Sequence, residues 1–135
     1  MNDLPPVGKH CLVELHGCDP ALLDDLDHVR RTLADAAQHG MSTLLNVTCH
    51  RFEPQGVTAL ALLAESHLSI HTWPEHGYAA VDAFTCGTTA DPVRCCRYIG
   101  EALGATRVEV RTIARGVDLP ASADASVDPS TPAVA

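Results

Sequence analysis

The centre of the chain reads Ala64-Glu65-Ser66-His67-Leu68-Ser69-Ile70-His71-Thr72-Trp73-Pro74-Glu75. It continues as Gly77-Tyr78-Ala79-Ala80-Val81-Asp82-Ala83-Phe84-Thr85-Cys86-Gly87. Polar and apolar residues alternate on both sides of a turn that contains Pro74 and Gly77, which predicts two strands joined as a hairpin. The hairpin would bring Cys86 back toward Ser66 and His71. A lone serine or histidine on a strand is usually a hydrogen-bonded surface group, but a hydroxyl, two imidazoles, carboxylates and a thiol this close together indicate chemistry.

The segments on either side of this hairpin predict an α+β fold. Alternation with a period of two predicts six strands, at residues 10–16, 42–52, 57–65, 67–73, 78–85 and 106–113. Asp-Pro pairs at Asp19 and Asp91 begin two helices, which end at Gly40 and Gly104. The order β-α-β-β-β-β-α-β predicts a two-layer sandwich, with two helices on one face of a mostly antiparallel sheet. Because the third strand is apolar on both sides, the other face of the sheet is expected to pack on a second subunit.

Composition narrows the class of protein. The 135 residues suffice for one domain, expected over residues 1–115, while residues 116–135 are rich in Ala, Ser, Pro and Asp, which predicts a disordered tail. A formal charge of −8 argues against a nucleic-acid partner, because phosphate binding needs a basic face. No segment resembles a leader or reaches the roughly 20 apolar residues that span a bilayer, so a cytoplasmic protein with no membrane partner is expected. Six cysteines without a CxxC pair are expected to be free thiols.

Metal-ligating residue types are numerous, but their spacing does not form a ligand set. His67 and His71 are four residues apart, and on a strand they would lie about 13 Å apart, too far to share an ion. Asp24, Asp25 and Asp27 suit the dipole at the start of the first helix and predict a solvated first turn. No metal site is therefore predicted.

The pair Glu65-Ser66 has the chemistry for self-cleavage. A serine hydroxyl can attack its own preceding carbonyl when the peptide is strained and the oxyanion is stabilised, which gives a backbone ester. A base that removes the serine Cα proton then drives β-elimination, and the dehydroalanine left on the new N-terminus hydrolyses to a pyruvoyl group. The chemistry needs a base and an oxyanion donor, and His71 and Thr58 are of the right types for these two roles.

The central stretch closely resembles the prokaryotic S-adenosylmethionine decarboxylase proenzyme family. The resemblance covers residues from about 8 to 113, and includes Gly8-Lys9-His10, Cys18-Asp19, His50-Arg51-Phe52, Pro54 and Gly56-Val57. A run of this length is far more specific than a short motif. Thr58 stands where many members carry serine, so the hydroxyl is kept. Cys49 stands where an aromatic residue is frequent, so the wall of the pocket is expected to differ at this position.

The resemblance implies an enzyme that makes its own cofactor. The chain would cut itself between Glu65 and Ser66 into a β chain, residues 1–65, and an α chain, residues 66–135, that starts with a pyruvoyl group derived from Ser66. The pyruvoyl carbonyl would form a Schiff base with the amino group of S-adenosylmethionine and accept electrons as carbon dioxide leaves. The product would be the aminopropyl donor of spermidine biosynthesis.

The resemblance also implies roles for single residues. His71 would be the proton acceptor in processing, supported by Thr58, and Cys86 would be the proton donor in catalysis, which requires the thiol to keep its proton until it is used. Phe52 would stack on the adenine, and Glu75 would bind the ribose hydroxyls. The family further implies a homodimer of processed αβ units in an α/β/β/α stack, with the sites near the interface.

Two alternatives stay open. A pyruvoyl-dependent ornithine or arginine decarboxylase of the same family would carry the same processing residues, although Phe52 and Glu75 favour a nucleoside substrate. A non-catalytic subunit that activates a partner is expected to lose Ser66, His71 or Cys86, and all three are present.

Overall fold

The computed structural model describes residues 5–120, and in this range the chain folds as one six-stranded antiparallel sheet covered by helices on one face. The strands are β1 Gly8–His16, β2 Leu44–Arg51, β3 Val57–Leu63, β4 Ser66–Trp73, β5 Tyr78–Cys86 and β6 Arg107–Arg115. The helices are α1 Pro20–Leu23, α2 Leu26–His39 and α3 Pro92–Ala102, with a 3₁₀ turn at Pro74–His76. The strand order is β2-β3-β4-β5-β1-β6. The predicted two-layer α+β sandwich is confirmed.

The core lies between the helices and the sheet because both carry apolar residues with the matching period. In α2, Val29, Leu33 and Ala36 recur at helical spacing and are buried. In β4, Leu68 and Ile70 point toward the helices and are fully buried. Alternate residues of β4 therefore point away from the helices, so its histidines lie on the opposite face of the sheet.

That opposite face, called here the open face, is apolar along β3, next to the edge strand β2. Leu60 is 49% exposed and Leu62 is 52% exposed, both on β3. Side chains this apolar are rarely left open to water as a contiguous patch, so the surface is suited to contact with another chain. The prediction that β3 is apolar on both sides is confirmed.

The prediction of one continuous helix between Asp19 and Gly40 is wrong, because the structure has two helices there, α1 and α2. Asp25 caps α2, since its carboxylate accepts a hydrogen bond from the His28 N–H at 3.1 Å. Asp24 ends α1 and turns toward the loop after β2, where it accepts from the Gly56 N–H at 2.9 Å and pairs with Arg51 at 2.8 Å. The prediction of a solvated first turn is therefore wrong for Asp24.

The strand ends differ from the predictions by a few residues. β3 ends at Leu63 because Ala64 and Glu65 form a two-residue turn into β4, and β6 continues to Arg115. Most of the predicted tail, residues 121–135, lies outside the described residues. Within residues 5–120 no helix has the length and apolar character to cross a membrane.

Candidate active site

The peptide bond between Glu65 and Ser66 lies at the tip of the β3–β4 hairpin, against the end of β5. The Glu65 carbonyl oxygen accepts two hydrogen bonds from Cys86, one from its backbone N–H at 2.9 Å and one from its thiol at 3.1 Å. Ser66 has a φ of 141°, a positive value that a residue with a side chain adopts at a cost of about 1–3 kcal/mol. The structure therefore brings Glu65, Ser66 and Cys86 together, with a polarised carbonyl next to a strained residue.

The side chain of Glu65 holds this turn in place from the other side. Its two carboxylate oxygens accept hydrogen bonds from the Thr43 N–H at 2.8 Å and the Thr43 hydroxyl at 3.2 Å. The Ala64 N–H donates to the Thr43 carbonyl at 2.9 Å. Thus the segment before the Glu65–Ser66 bond is anchored to the segment that enters β2, while the Glu65 carbonyl is anchored to β5.

A polar cluster centred on Asp82 lies next to Ser66 on the open face. One Asp82 carboxylate oxygen lies 2.8 Å from His10 Nε2 and 2.9 Å from His67 Nε2, and the other oxygen accepts from the Ser69 hydroxyl. His67 Nδ1 in turn lies 3.5 Å from the Ser66 hydroxyl oxygen. Burial by itself would raise the pKa of Asp82, but the hydrogen bonds from Ser69, His10 and His67 outweigh burial and hold the pKa below its ordinary value.

Sequence reasoning missed this cluster, which we call the Asp82 cluster. Its members come from β1, β4 and β5, and they meet because Ser69 pairs with Asp82 and both His10 and His67 pair with Phe84. The prediction of no metal site considered the pair His67 and His71 and the acidic run at residues 24–27, but not residues from different strands. The donor atoms of His10, His67 and Asp82 lie within 4.8 Å of one another. A tetrahedral zinc ion about 2.1 Å from each donor would keep the donors about 3.4 Å apart, so the shorter separations between Asp82 and the two histidines, 2.8 and 2.9 Å, are those of hydrogen bonds.

A second group of the predicted residues lines a pocket of about 410 Å³ at the other end of β4. The lining residues include Phe52, Thr58, His71, Trp73 and Glu75. The Thr58 hydroxyl lies 2.9 Å from His71 Nδ1. Phe52 is 48% exposed, so a ligand in the pocket can reach this residue. Such a pocket has the volume range of small-molecule sites and combines aromatic rings with a carboxylate.

The loop that carries Phe52 is held by backbone hydrogen bonds and by Asp24. The Phe52 N–H donates to the Gly56 carbonyl at 2.8 Å, and the Gly56 N–H donates to Asp24. Gly56 has a φ of +105°, a conformation that a side chain would strain. The break between α1 and α2 therefore serves the pocket, because it frees Asp24 to reach this loop.

The two groups are separated within one chain. Ser66 pairs with Leu63 and Thr85, whereas His71 pairs with Thr58 and Ala80 five residues further along β4. At the usual rise of a strand, Ser66 and His71 lie about 16 Å apart. The prediction that the hairpin brings Cys86 toward Ser66 is confirmed, but it is wrong for His71 of the same chain.

Comparison with known proteins identifies the family. The family model described as S-adenosylmethionine decarboxylase matches residues 9–116. An S-adenosylmethionine decarboxylase proenzyme of Parasynechococcus marenigrum (strain WH8102) is 57% identical over 109 residues, which are 81% of this chain and 85% of the relative. One of Clostridium tetani (strain Massachusetts / E88) is 44% identical over 117 residues, which are 87% and 90% of the two chains.

A solved structure agrees with these relatives. The crystal structure of the adenosylmethionine decarboxylase from Aquifex aeolicus VF5 superposes with a TM-score of 0.80 at 36% identity, covering 88% of this chain and 98% of that one. The chain belongs to the S-adenosylmethionine decarboxylase family. The ornithine or arginine alternative is not favoured by these relatives.

Proposed function

We propose that this chain is a proenzyme that cuts itself between Glu65 and Ser66 and then decarboxylates S-adenosylmethionine, supplying the aminopropyl donor for spermidine. The observation that carries the proposal is the scissile peptide itself. Its carbonyl oxygen receives both donors of Cys86, and its serine has a strained backbone. A carbonyl polarised in this way is prepared for attack by a nearby hydroxyl.

Self-cleavage follows from these contacts in two stages. In the first, the Ser66 hydroxyl oxygen bonds to the Glu65 carbonyl carbon, the C–N bond breaks, and an ester replaces the amide. The strain at Ser66 favours this stage because the amide no longer has to be kept in its unusual conformation. In the second, a base removes the Ser66 Cα proton and the ester oxygen leaves with Glu65. This elimination leaves a dehydroalanine at residue 66. Water hydrolyses it to the pyruvoyl group, and the amino nitrogen of residue 66 leaves as ammonia.

The pyruvoyl group that results supplies an electron sink for decarboxylation. Residue 66 fits this role because it starts a buried strand and is only 6% exposed, which keeps water from the reacting carbon. Cys86 is suited to protonate the product carbon, because its thiol already points as a donor at the place that Glu65 vacates.

A Cys86→Ala variant separates the two roles of this residue. It keeps the backbone N–H at the Glu65 carbonyl, so the chain should still cut itself. It loses the thiol, so decarboxylation should fall by about 100-fold or more. Normal turnover by the cut Cys86→Ala chain would contradict the assignment of the thiol as acid.

The pocket at the other end of β4 is the proposed nucleoside site. The exposed Phe52 ring offers a flat apolar surface for the adenine, and the Glu75 carboxylate offers two acceptors for the ribose hydroxyls. The formal charge of −8 suits a substrate that carries a sulfonium cation.

A complete site in this proposal needs two chains. The pocket and the scissile bond lie about 16 Å apart on one strand, which is too far for one substrate to be held at the first and react at the second in the same chain. Suppose that two chains pack with their open faces together, around a two-fold axis that lies between the sheets and at right angles to β4. The end of β4 that carries Ser66 in each chain then faces the end of β4 that carries His71 in the other chain. The exposed Leu60 and Leu62 would be buried in this α/β/β/α stack. The six free cysteines fit a reducing, cytoplasmic compartment.

Release of carbon dioxide from carboxyl-labelled substrates tests the activity. The processed protein should release label from S-adenosylmethionine and not from ornithine or arginine. Glu75→Gln should raise KM by about tenfold or more, because it removes a charged acceptor. The control His39→Ala, at an exposed residue of α2 that does not line the pocket, should leave KM unchanged. Release from ornithine or arginine alone would overturn the substrate assignment.

A further inference from the structure

The imidazole of His67 contacts the serine at the proposed scissile bond, and the family resemblance implies no role for this residue. His67 Nδ1 lies 3.5 Å from the Ser66 hydroxyl oxygen, and His67 Nε2 lies 2.9 Å from Asp82 Oδ2. The order hydroxyl, imidazole, carboxylate is that of a serine nucleophile activated by an oriented base. The first contact is long for a hydrogen bond, as such contacts commonly are before the reacting group moves toward its target.

The hydrogen bonds determine which nitrogen of His67 is free to accept a proton. An ionised carboxylate only accepts hydrogen bonds, so His67 Nε2 must carry a hydrogen that points at Asp82. In the neutral ring Nδ1 is then the acceptor, and it faces the Ser66 hydroxyl. The depressed pKa of Asp82 keeps its carboxylate ionised at neutral pH, so it also stabilises the imidazolium that would form.

The other imidazoles near the open face are already engaged. His10 also bonds to Asp82 through Nε2, but its Nδ1 accepts from the Arg115 guanidinium at 3.0 Å. His71 Nδ1 bonds to Thr58 at the far end of β4. Among the histidines of residues 5–120 that contact the Asp82 cluster, His67 is therefore the one whose acceptor nitrogen faces the nucleophile.

We propose that His67, oriented by Asp82, is the base that activates Ser66 for the first stage of self-cleavage. The inference rests on the proposed function. As the Ser66 Oγ–C bond to Glu65 forms, the hydroxyl proton passes to His67 Nδ1. As the C–N bond breaks, His67 returns this proton to the Ser66 nitrogen, which leaves as an amine. The atoms and charges balance, and no other reactant is needed. His71 is left for the later removal of the Cα proton.

The charged groups that face His67 suit a base that gains a proton. Asp82 contacts its ring directly, and His10 lies edge-on at 6.2 Å between ring centroids. The Arg115 guanidinium contacts His10 and lies over the Phe84 ring, with its Cζ atom 5.5 Å from the ring centroid, rather than contacting His67. On the β3 side the paired residue, Leu62, is uncharged. A single nearby carboxylate thus faces the ring that must gain a proton.

Self-cleavage of the full-length chain, made by cell-free translation and followed by intact mass, tests this role. His67→Gln keeps an amide N–H that can reach Asp82 but cannot accept the serine proton, so it preserves a structural role and removes a catalytic one. Asp82→Asn removes the charge and can hold His67 in the wrong tautomer. The matched control is His39→Ala, and circular dichroism checks the fold of each variant. Hydroxylamine, which cleaves esters and spares amides, reports whether the first stage has occurred.

We expect His67→Gln to cut about 100-fold more slowly or worse, and Asp82→Asn about tenfold more slowly or worse, both without hydroxylamine-sensitive chains. His71→Ala should instead accumulate a chain that hydroxylamine cuts after Glu65. Normal cutting by His67→Gln, or an ester that accumulates in it, would overturn the inference while leaving the proposed function intact. If His67→Gln does not fold, the rate of Asp82→Asn decides: slow cutting without an ester supports the inference, and normal cutting overturns it. A wild-type chain that never cuts would instead refute the proposed function, and the inference with it.

Discussion

Co-expression of two inactive variants gives a quantitative test of a site built from two chains. Ser66→Ala cannot form the ester, and His71→Ala lacks the proposed acceptor for the Cα proton. Each variant alone should remain essentially uncut and inactive. In a mixed dimer, however, Ser66 of the His71→Ala chain would lie opposite His71 of the Ser66→Ala chain, which completes one site. The opposite site of that dimer would lack both residues.

The expected yield follows from counting sites. If the two chains pair at random in equal amounts, about half of the dimers are mixed, and each mixed dimer holds one working site out of two. Decarboxylase activity should therefore reach about one quarter of the wild-type value. About half of the His71→Ala chains should be cut, and none of the Ser66→Ala chains should be.

Intact mass spectrometry identifies which variant is cut, because the two substitutions give different chain masses. Labelled carbon dioxide release from S-adenosylmethionine measures the activity of the same sample. Size-exclusion chromatography checks that the chains are paired. If paired chains show neither cleavage nor activity after co-expression, each site must be contained in one chain, and the argument from the 16 Å separation (about five residues of strand) would be refuted.

Two further predictions concern stability. Thr72→Val should lower the free energy of unfolding by about 2–3 kcal/mol, because the buried Thr72 hydroxyl donates to the Leu23 carbonyl and accepts from the Val57 N–H, both at 2.8 Å. Urea unfolding measures this loss, with Thr48→Val at an exposed residue as the control. Equal unfolding midpoints for the two variants would contradict the prediction. Burial and the hydrogen bond to Glu14 raise the pKa of Tyr78 to about 12, so the stability that this group contributes should be complete below pH 10 and be lost as the pH rises through about 12. Ultraviolet titration in a Tyr98→Phe background checks it, and ionisation near pH 10 would refute it.

The strands were predictable because their signal is local. Alternation along β1, β4 and β5 reflects one buried and one open side, so a sequence window is enough to find them. The link between Cys86 and Ser66 also follows from local information, since a hairpin between consecutive strands fixes which ends meet. The family resemblance, carried by the stretch around Ser66, agrees with the relatives and with the fold.

The remaining features depend on register and on contacts between distant segments. The Asp82 cluster joins three strands, and its members are separated by up to 72 residues in the chain. A pattern of alternation shows that Asp82 faces away from the helices but not which residues it meets. The break at Asp24 has the same origin, because the Gly56 N–H that it binds belongs to a loop 32 residues away. The separation of His71 from Ser66 follows from simple strand geometry, and the hairpin alone did not reveal it.

The central claim is that the chain cuts itself and converts Ser66 into a pyruvoyl group, and the intact mass of the purified protein tests it most directly. We predict two chains, residues 1–65 and 66–135, whose masses together exceed the uncut chain by about 1 Da, because water is gained and ammonia is lost. Residue 66 should carry no free amino group. An uncut chain under native conditions would contradict the account, as would two chains that together exceed the precursor by about 18 Da, which is the result of simple peptide hydrolysis.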